Sequence, residues 1–222
     1  MKLKSNKGLT LVEVLIAVVV SSIVMAAMFF TYDIFQKSYK GIVDRSVISQ
    51  NSRNAISMMI RDLRMAGYKD INSSNPISTP IIHEDKNNAS DKIEVIYDED
   101  KDNRTKIAYK LEKEPGNNFY FLSKAKSRWN GSKWSVIYDF EKVADYFEDL
   151  QFSLKDSTGN KTDQVNNARY IEIYVILKSP SEIHKQKILK TFNSDNNSIT
   201  FEDKHLREDF FVSVYPRNII KN

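Results

Sequence analysis

The sequence predicts an α+β protein, in which a long N-terminal α-helix packs with its second half on an antiparallel β-sheet head. Three observations predict this fold class. An uncharged apolar run lies close to the N-terminus, helical periodicity continues beyond that run, and segments with the alternating pattern of strands fill most of the remaining chain. The chain has 222 residues, which is enough for one compact domain and an accessory segment.

The apolar run is long enough to cross a membrane. Val14–Tyr32 contains no charged residue, and as a helix it would extend roughly 28 Å, about the thickness of the hydrocarbon core. Lys2, Lys4 and Lys7 all lie before the run. Because basic residues favour the cytoplasmic side, we expect a single-pass protein with a cytoplasmic N-terminus and an extracytoplasmic head.

Helical character continues after the span. Gly67 suits the position after a helix end. Up to Ala66, apolar residues recur at three- and four-residue spacing, namely Phe35, Tyr39, Ile42, Ala55, Met58, Met59 and Leu63. The sequence therefore predicts one helix over residues 9–66, with residues 9–32 as its membrane part. Gly41 is the position at which this helix could bend.

The remaining residues, 67–222, are predicted to form the head. Residues 70–92 are rich in Ser, Asn and Pro and predict a loop, and Asn130-Gly131 predicts a hairpin turn. Seven segments have strand character: Lys92–Tyr97, Lys106–Glu112, Phe119–Ser123, Trp134–Phe140, Leu150–Lys155, Tyr170–Lys178 and Asp209–Tyr215.

Composition and motifs argue against an enzyme. The chain has no cysteine, which excludes disulfides and thiolate chemistry, and only six glycines. It contains no phosphate-binding glycine loop, nucleophile elbow or dinucleotide fingerprint. We predict no catalytic, cofactor-binding or metal-ligating residue and no small-molecule substrate.

Three groups of residues could still carry a ligand. His83, His184 and His205 are far apart in sequence and are predicted to be surface residues. The segment Asp98–Asn103 has alternating carboxylates like a calcium loop, but Asn103 and Tyr109 replace the loop's glycine and final acid, so a charged hairpin tip is favoured.

The third group is an aromatic and basic set that could contact DNA. Strand spacing favours a place in the core for its aromatic members, and nucleic-acid binding is not expected. Its members are Trp129, Trp134, Tyr138 and Phe140 with Lys124, Lys126, Arg128 and Lys133.

Glu13 is an acid at the start of the apolar run, where a charge weakens membrane insertion. A cut after Gly8 would place a new α-amino group on Leu9, one helical turn from Glu13, and a carboxylate in the first turn also meets the positive end of the helix dipole. The cut would remove three lysines and leave 30 basic residues against 29 acidic ones, so the formal charge of +4 lies mostly before Leu9.

The segment Lys7-Gly8-Leu9-Thr10-Leu11-Val12-Glu13 resembles the leader of type IV prepilins. By this resemblance residues 1–8 are a leader peptide, prepilin peptidase cleaves after Gly8, Leu9 becomes the N-methylated terminus, and Glu13 pairs with a neighbouring subunit's terminal amine. The sequence departs from the common pattern in having Leu for Phe at the mature terminus and no Pro in the span. The resemblance implies a type IV pilin-like fold and, as partners, prepilin peptidase, other pilins and the cytoplasmic membrane.

Parts of the head resemble PilW-type minor pilins: residues 55–68, 143–156, 168–180 and 206–218. This similarity implies a minor pilin that assembles or primes a type IV pilus. Other interpretations remain open, namely a pseudopilin of a secretion or DNA-uptake system, a membrane-anchored binding module, an ordinary signal anchor, and a secretory signal cleaved near Val24-Met25-Ala26.

Overall fold

The computed structural model describes residues 10–85, 90–116, 119–193 and 198–219. The chain divides into two units, one up to Val43 and one from Asp44 onward. The first unit is helical from Leu11 onward, and the second contains the end of the same helix together with the strands of the described residues. The predicted α+β architecture, a long N-terminal helix with an antiparallel β-sheet head, is confirmed.

The helix, α1, spans Leu11–Met65 and has 55 residues. It continues through Gly41 without a break, so the bend considered there does not interrupt it. Its end follows the prediction closely, because Gly67 adopts a φ of +75° and Tyr68 N–H donates to the carbonyl of Met65 at 2.8 Å. A left-handed residue after the last turn is the usual way to end a helix.

In its described residues, the head has one seven-stranded antiparallel sheet, one separate hairpin and a short 3-10 helix at Val165–Asn167. The strand order in the large sheet is β1-β2-β3-β4-β5-β6-β9, and β7 pairs with β8. The strands are β1 Ile81–Glu84, β2 Lys92–Asp98, β3 Arg104–Lys113, β4 Tyr120–Trp129, β5 Trp134–Lys155, β6 Tyr170–Glu182, β7 Ile188–Asn193, β8 Ser198–Asp203 and β9 His205–Val214.

The core lies between the end of α1 and the large sheet. Ile48, Ala55, Met59 and Leu63 recur at helical spacing and are 0–1% exposed. They pack against alternate residues of the strands, for example Tyr109, Leu122, Leu150 and Val175. Each fully buried aliphatic side chain stabilises the fold by about 1.5–3 kcal/mol, so this stripe fixes which face of the helix meets the sheet.

The predicted strands Trp134–Phe140 and Leu150–Lys155 are parts of one strand, β5. The sequence between them is mostly polar, which hid the continuation. Tyr146 interrupts the regular pairing with a φ of 68°. Residues after it pair with β6 from Phe147 onward, whereas the part before it pairs only with β4.

Three strands were not predicted. β1 lies inside the predicted loop 70–92 and pairs with β2 from Ile81↔Val95 to Glu84↔Lys92. The β7–β8 hairpin is mostly exposed, and only Phe192 of β7 is buried. Phe192 packs with Tyr174 and Ile176 in a small cluster separate from the main core. A strand with one buried apolar residue does not show an alternating pattern.

Several smaller predictions are corrected. The three histidines predicted to be surface residues, His83, His184 and His205, are all only partly exposed. His83 Nε2 lies 3.2 Å from an oxygen of Asp91, and His205 Nδ1 lies 2.9 Å from the carbonyl oxygen of Ser179. The four aromatics of the β4–β5 hairpin are half-buried but absent from both core clusters, so their assignment to the core was wrong.

The two predicted turns are present. Residues 99–103 connect β2 to β3 as a charged hairpin tip, in which Glu99 N–H donates to the carbonyl of Asn103. Residues 130–133 connect β4 to β5, with Gly131 at a φ of +93°. Trp129 and Trp134 face each other across this turn at 5.4 Å between ring centroids.

Candidate functional site

The start of α1 forms a capping box built from Thr10 and Glu13. The backbone N–H and the hydroxyl of Thr10 donate to Glu13 Oε2 at 2.8 and 2.9 Å, and Glu13 N–H donates to Thr10 Oγ1 at 3.3 Å. These bonds satisfy backbone donors that have no partner within a helix. The Thr-x-x-Glu spacing is present in the sequence, but Glu13 was interpreted there as a partner for a terminal amine and for the helix dipole, not as part of a capping box.

This geometry leaves half of the Glu13 carboxylate available. Within the described ranges, Oε1 of Glu13 accepts no hydrogen bond, and the residue is exposed. A carboxylate held at the positive end of a helix dipole can still bind a cation through its second oxygen. Gly8 and Leu9, the other two predicted site residues, lie outside the described residues.

The apolar part of α1 presents its side chains on every side. Every residue from Leu11 to Tyr32 is exposed. Two of its hydroxyls bond within the helix, because Ser22 donates to the carbonyl of Val18 at 2.8 Å and Thr31 to that of Ala27 at 2.9 Å. Such back-bonding removes free polar groups from a lipid-facing surface. Among the described residues, α1 is the one helix long and apolar enough to cross a membrane.

A second polar centre lies in the head, where the side chain of Asp62 is buried beneath the sheet. Its Oδ2 accepts hydrogen bonds from Tyr109 Oη at 2.6 Å and from Lys124 Nζ at 2.7 Å. Burial and the neighbouring Asp62 raise the pKa of Tyr109, which keeps the phenol protonated as a donor. Its sequence neighbours Arg61 and Arg64 are exposed, so the charged stretch around Asp62 did not indicate this burial.

Neither centre has the form of an active site. Asp62 already has two donors and is only 4% exposed, which leaves little access for a substrate. No group of three or more His, Cys, Asp or Glu side chains that could hold a metal ion occurs in residues 10–85, 90–116, 119–193 and 198–219. The two centres instead serve a helix terminus and a packing interface.

Comparison with known proteins identifies one feature. The family described as "Prokaryotic N-terminal methylation motif" matches residues 3–29, which include Gly8, Leu9 and Glu13. No curated protein and no solved structure matches the chain. The motif implies processing by prepilin peptidase, assembly with other pilins and anchoring in the inner membrane, which the apolar helix also supports. The motif therefore indicates a protein of the type IV pilin or pseudopilin type, and the family that carries it is structural rather than enzymatic.

Proposed function

We propose that this chain is a minor pilin, a low-abundance structural subunit that enters or primes a type IV pilus. Prepilin peptidase would cleave after Gly8, and Leu9 would become the N-methylated terminus. The observation that carries the proposal is the methylation motif at the start of a helix whose apolar side chains are unburied. The patches similar to PilW-type minor pilins support the subtype.

Burial of the apolar helix among like helices would drive assembly. The exposed side chains include Leu15, Val19 and Phe29, at 57%, 55% and 72% exposure. In lipid these contacts gain little from the hydrophobic effect, so close packing and polar pairing decide which helices associate. Glu13 would set the register between neighbouring helices, because its free oxygen can accept a hydrogen bond from the methylated amine of a neighbouring subunit.

A pseudopilin of a secretion or DNA-uptake system is the alternative, because its leader has the same chemistry. Deleting the gene separates these roles: we expect loss of surface pili with normal protein secretion. Lost secretion with intact pili would favour the pseudopilin.

The assembly mechanism is tested by Glu13→Ala. We expect normal cleavage after Gly8, seen as an N-methyl-leucine terminus by mass spectrometry, but loss of the subunit from purified filaments. Ser22→Ala is the matched control, since Ser22 lies in the same apolar segment and its hydroxyl bonds only its own helix. Incorporation of Glu13→Ala at the control level would refute the role of this carboxylate.

A further inference from the structure

The end of α1 and the C-terminal segment border an open groove of about 710 Å³. Its lining includes three arginines and three apolar or aromatic side chains: Arg61, Arg64, Arg217, Ile60, Met65 and Tyr68. All residues that line the groove belong to the unit from Asp44 onward. Residues 55–68 and 206–218, which are separate patches in the sequence, both contribute to this lining.

Gly67 allows the two segments to approach. A Cβ at this position would lie 2.9 Å from the carbonyl oxygen of Asn218, so a larger residue would push the C-terminal segment away. Gly67 N–H also donates to the carbonyl of Ile96 at 2.9 Å, which ties the helix end to β2. The close backbone approach at Gly67 therefore places the C-terminal segment beside the end of α1.

The arginines carry positive charge that the described residues do not neutralise. Arg64 and Arg217 are exposed and form no ion pair within the parts of the chain that the structure describes. Arg61 lies 3.3 Å from Asp62, but that carboxylate already binds Lys124 and Tyr109, and the Arg61 side chain is 72% exposed. No carboxylate lines the groove among the described residues.

We propose that this groove binds an acidic segment, rich in Asp or Glu, of another protein subunit. Guanidinium groups bind carboxylates through paired hydrogen bonds, which are stronger than contacts to a single ammonium group. Ile60, Met65 and the 37%-exposed Tyr68 offer apolar surface beside those charges, which suits a peptide better than a free anion. Three arginines in one compact groove also differ from the extended basic stripe that tracks a nucleic-acid backbone.

The test uses the processed full-length protein in an uncharged detergent and a fluorescein-labelled peptide of six glutamates. We expect saturable binding by fluorescence anisotropy that weakens as salt rises, and weaker binding of a hexaglutamine peptide. Arg64→Gln with Arg217→Gln should lower the affinity by about tenfold or more, because two charge-assisted contacts are lost. Arg64→Lys with Arg217→Lys should give an intermediate affinity.

Lys133→Gln with Lys187→Gln is the matched control, since it removes the same net charge from exposed positions outside the groove. This control should change the affinity less than twofold. Equal losses in both double variants would overturn the proposal, as would equal binding of hexaglutamine. Tighter binding of a short DNA duplex than of hexaglutamate, lost in the arginine variant, would assign the groove to nucleic acid instead.

Discussion

Asp62 of α1 and Lys124 of β4 form an ion pair of 2.7 Å across the interface between the helix and the sheet, with side chains 6% and 10% exposed. Tyr109 of β3 completes the group through its hydroxyl. Asp62 follows Met59 and precedes Leu63 on the buried side of the helix. Because a desolvated charge without its partner is costly, this group favours one rotation and one axial position of the helix.

Asp62→Ala should strongly destabilise the head. Removing one partner of a buried pair typically costs about 3–5 kcal/mol, because the other charge remains desolvated. Urea unfolding followed by the fluorescence of the two tryptophans, Trp129 and Trp134, measures this loss. Arg64→Ala, two residues away on the exposed side of the helix, should change the free energy of unfolding by less than about 0.5 kcal/mol. A similar small change for Asp62→Ala would show that the pair does not stabilise the interface.

Stability should also fall at alkaline pH. The pKa of Tyr109 is raised from its ordinary value of 10.0 by burial and by Asp62, and burial raises the pKa of Tyr97 to about 12. Below pH 10 both phenols are protonated in the folded and unfolded chains. Above it the unfolded chain releases protons that the folded chain retains, so the free energy of unfolding falls as pH rises.

Tyr109→Phe tests this dependence. The variant loses the hydrogen bond to Asp62, but its stability should decline less between pH 9 and 11 than that of the unchanged protein. Urea unfolding at several pH values gives both slopes. Tyr170→Phe at the exposed end of β6 is the control and should retain the original slope. Equal slopes for the unchanged protein and Tyr109→Phe would contradict the role of the Tyr109 phenol.

Hydrophobic periodicity and alternation along the sequence predicted the helix and most of the central strands. The periodicity through Leu63 and the glycine at position 67 predicted the end of α1 to within about one residue, and alternation predicted β2 and β6. Strand β5 was split because residues around Tyr146 are polar and its pairing changes there. That choice depends on neighbouring strands, which a local pattern does not contain.

Tertiary context also explains why the buried charge was missed. Arg61, Asp62 and Arg64 are charged neighbours in the sequence, and of these three only Asp62 is buried. Its partners Tyr109 and Lys124 come from strands 47 and 62 residues away. Lys124 belongs to the aromatic and basic set in the sequence, yet it is only 8% exposed on β4. By contrast, the Thr10 and Glu13 capping box depends on a three-residue spacing and could have been found from the sequence.

Gly67→Ala should cost more stability than Gly116→Ala. Both glycines have a φ near +75°, at +75° and +76°, so both substitutions place an L-residue in the left-handed region at about 1–2 kcal/mol. Only at Gly67 would the new Cβ approach another segment, the carbonyl of Asn218 at 2.9 Å. The difference between the two variants in urea unfolding isolates the effect of this close approach. Equal losses would show that the C-terminal segment moves aside freely.

Thr10→Val should loosen the start of the helix. Valine has nearly the shape of threonine, but it has no hydroxyl to donate a hydrogen bond to the Glu13 carboxylate or to accept one from the Glu13 N–H. The helix start should therefore lose about 1 kcal/mol of stability. Hydrogen exchange in detergent micelles should become about fivefold faster at the first-turn amides, while Thr10→Ser should retain the original rates. Unchanged exchange in Thr10→Val would mean that the hydroxyl bonds do not hold the cap.

Gly8→Val should leave an unprocessed precursor. A peptidase that cuts after glycine must hold the chain close to its catalytic groups, and a β-branched side chain at that position would keep the scissile bond away. The precursor would retain Lys2, Lys4 and Lys7 before the apolar run, and the positive charge would hold this end in the cytoplasm.

Mass spectrometry of the membrane fraction should find residue 1 or 2 at the terminus. Lys4→Gln, which changes the leader but not the cut site, should still give an N-methylated Leu9. A mature Leu9 terminus in Gly8→Val would place recognition elsewhere in the matched segment, residues 3–29.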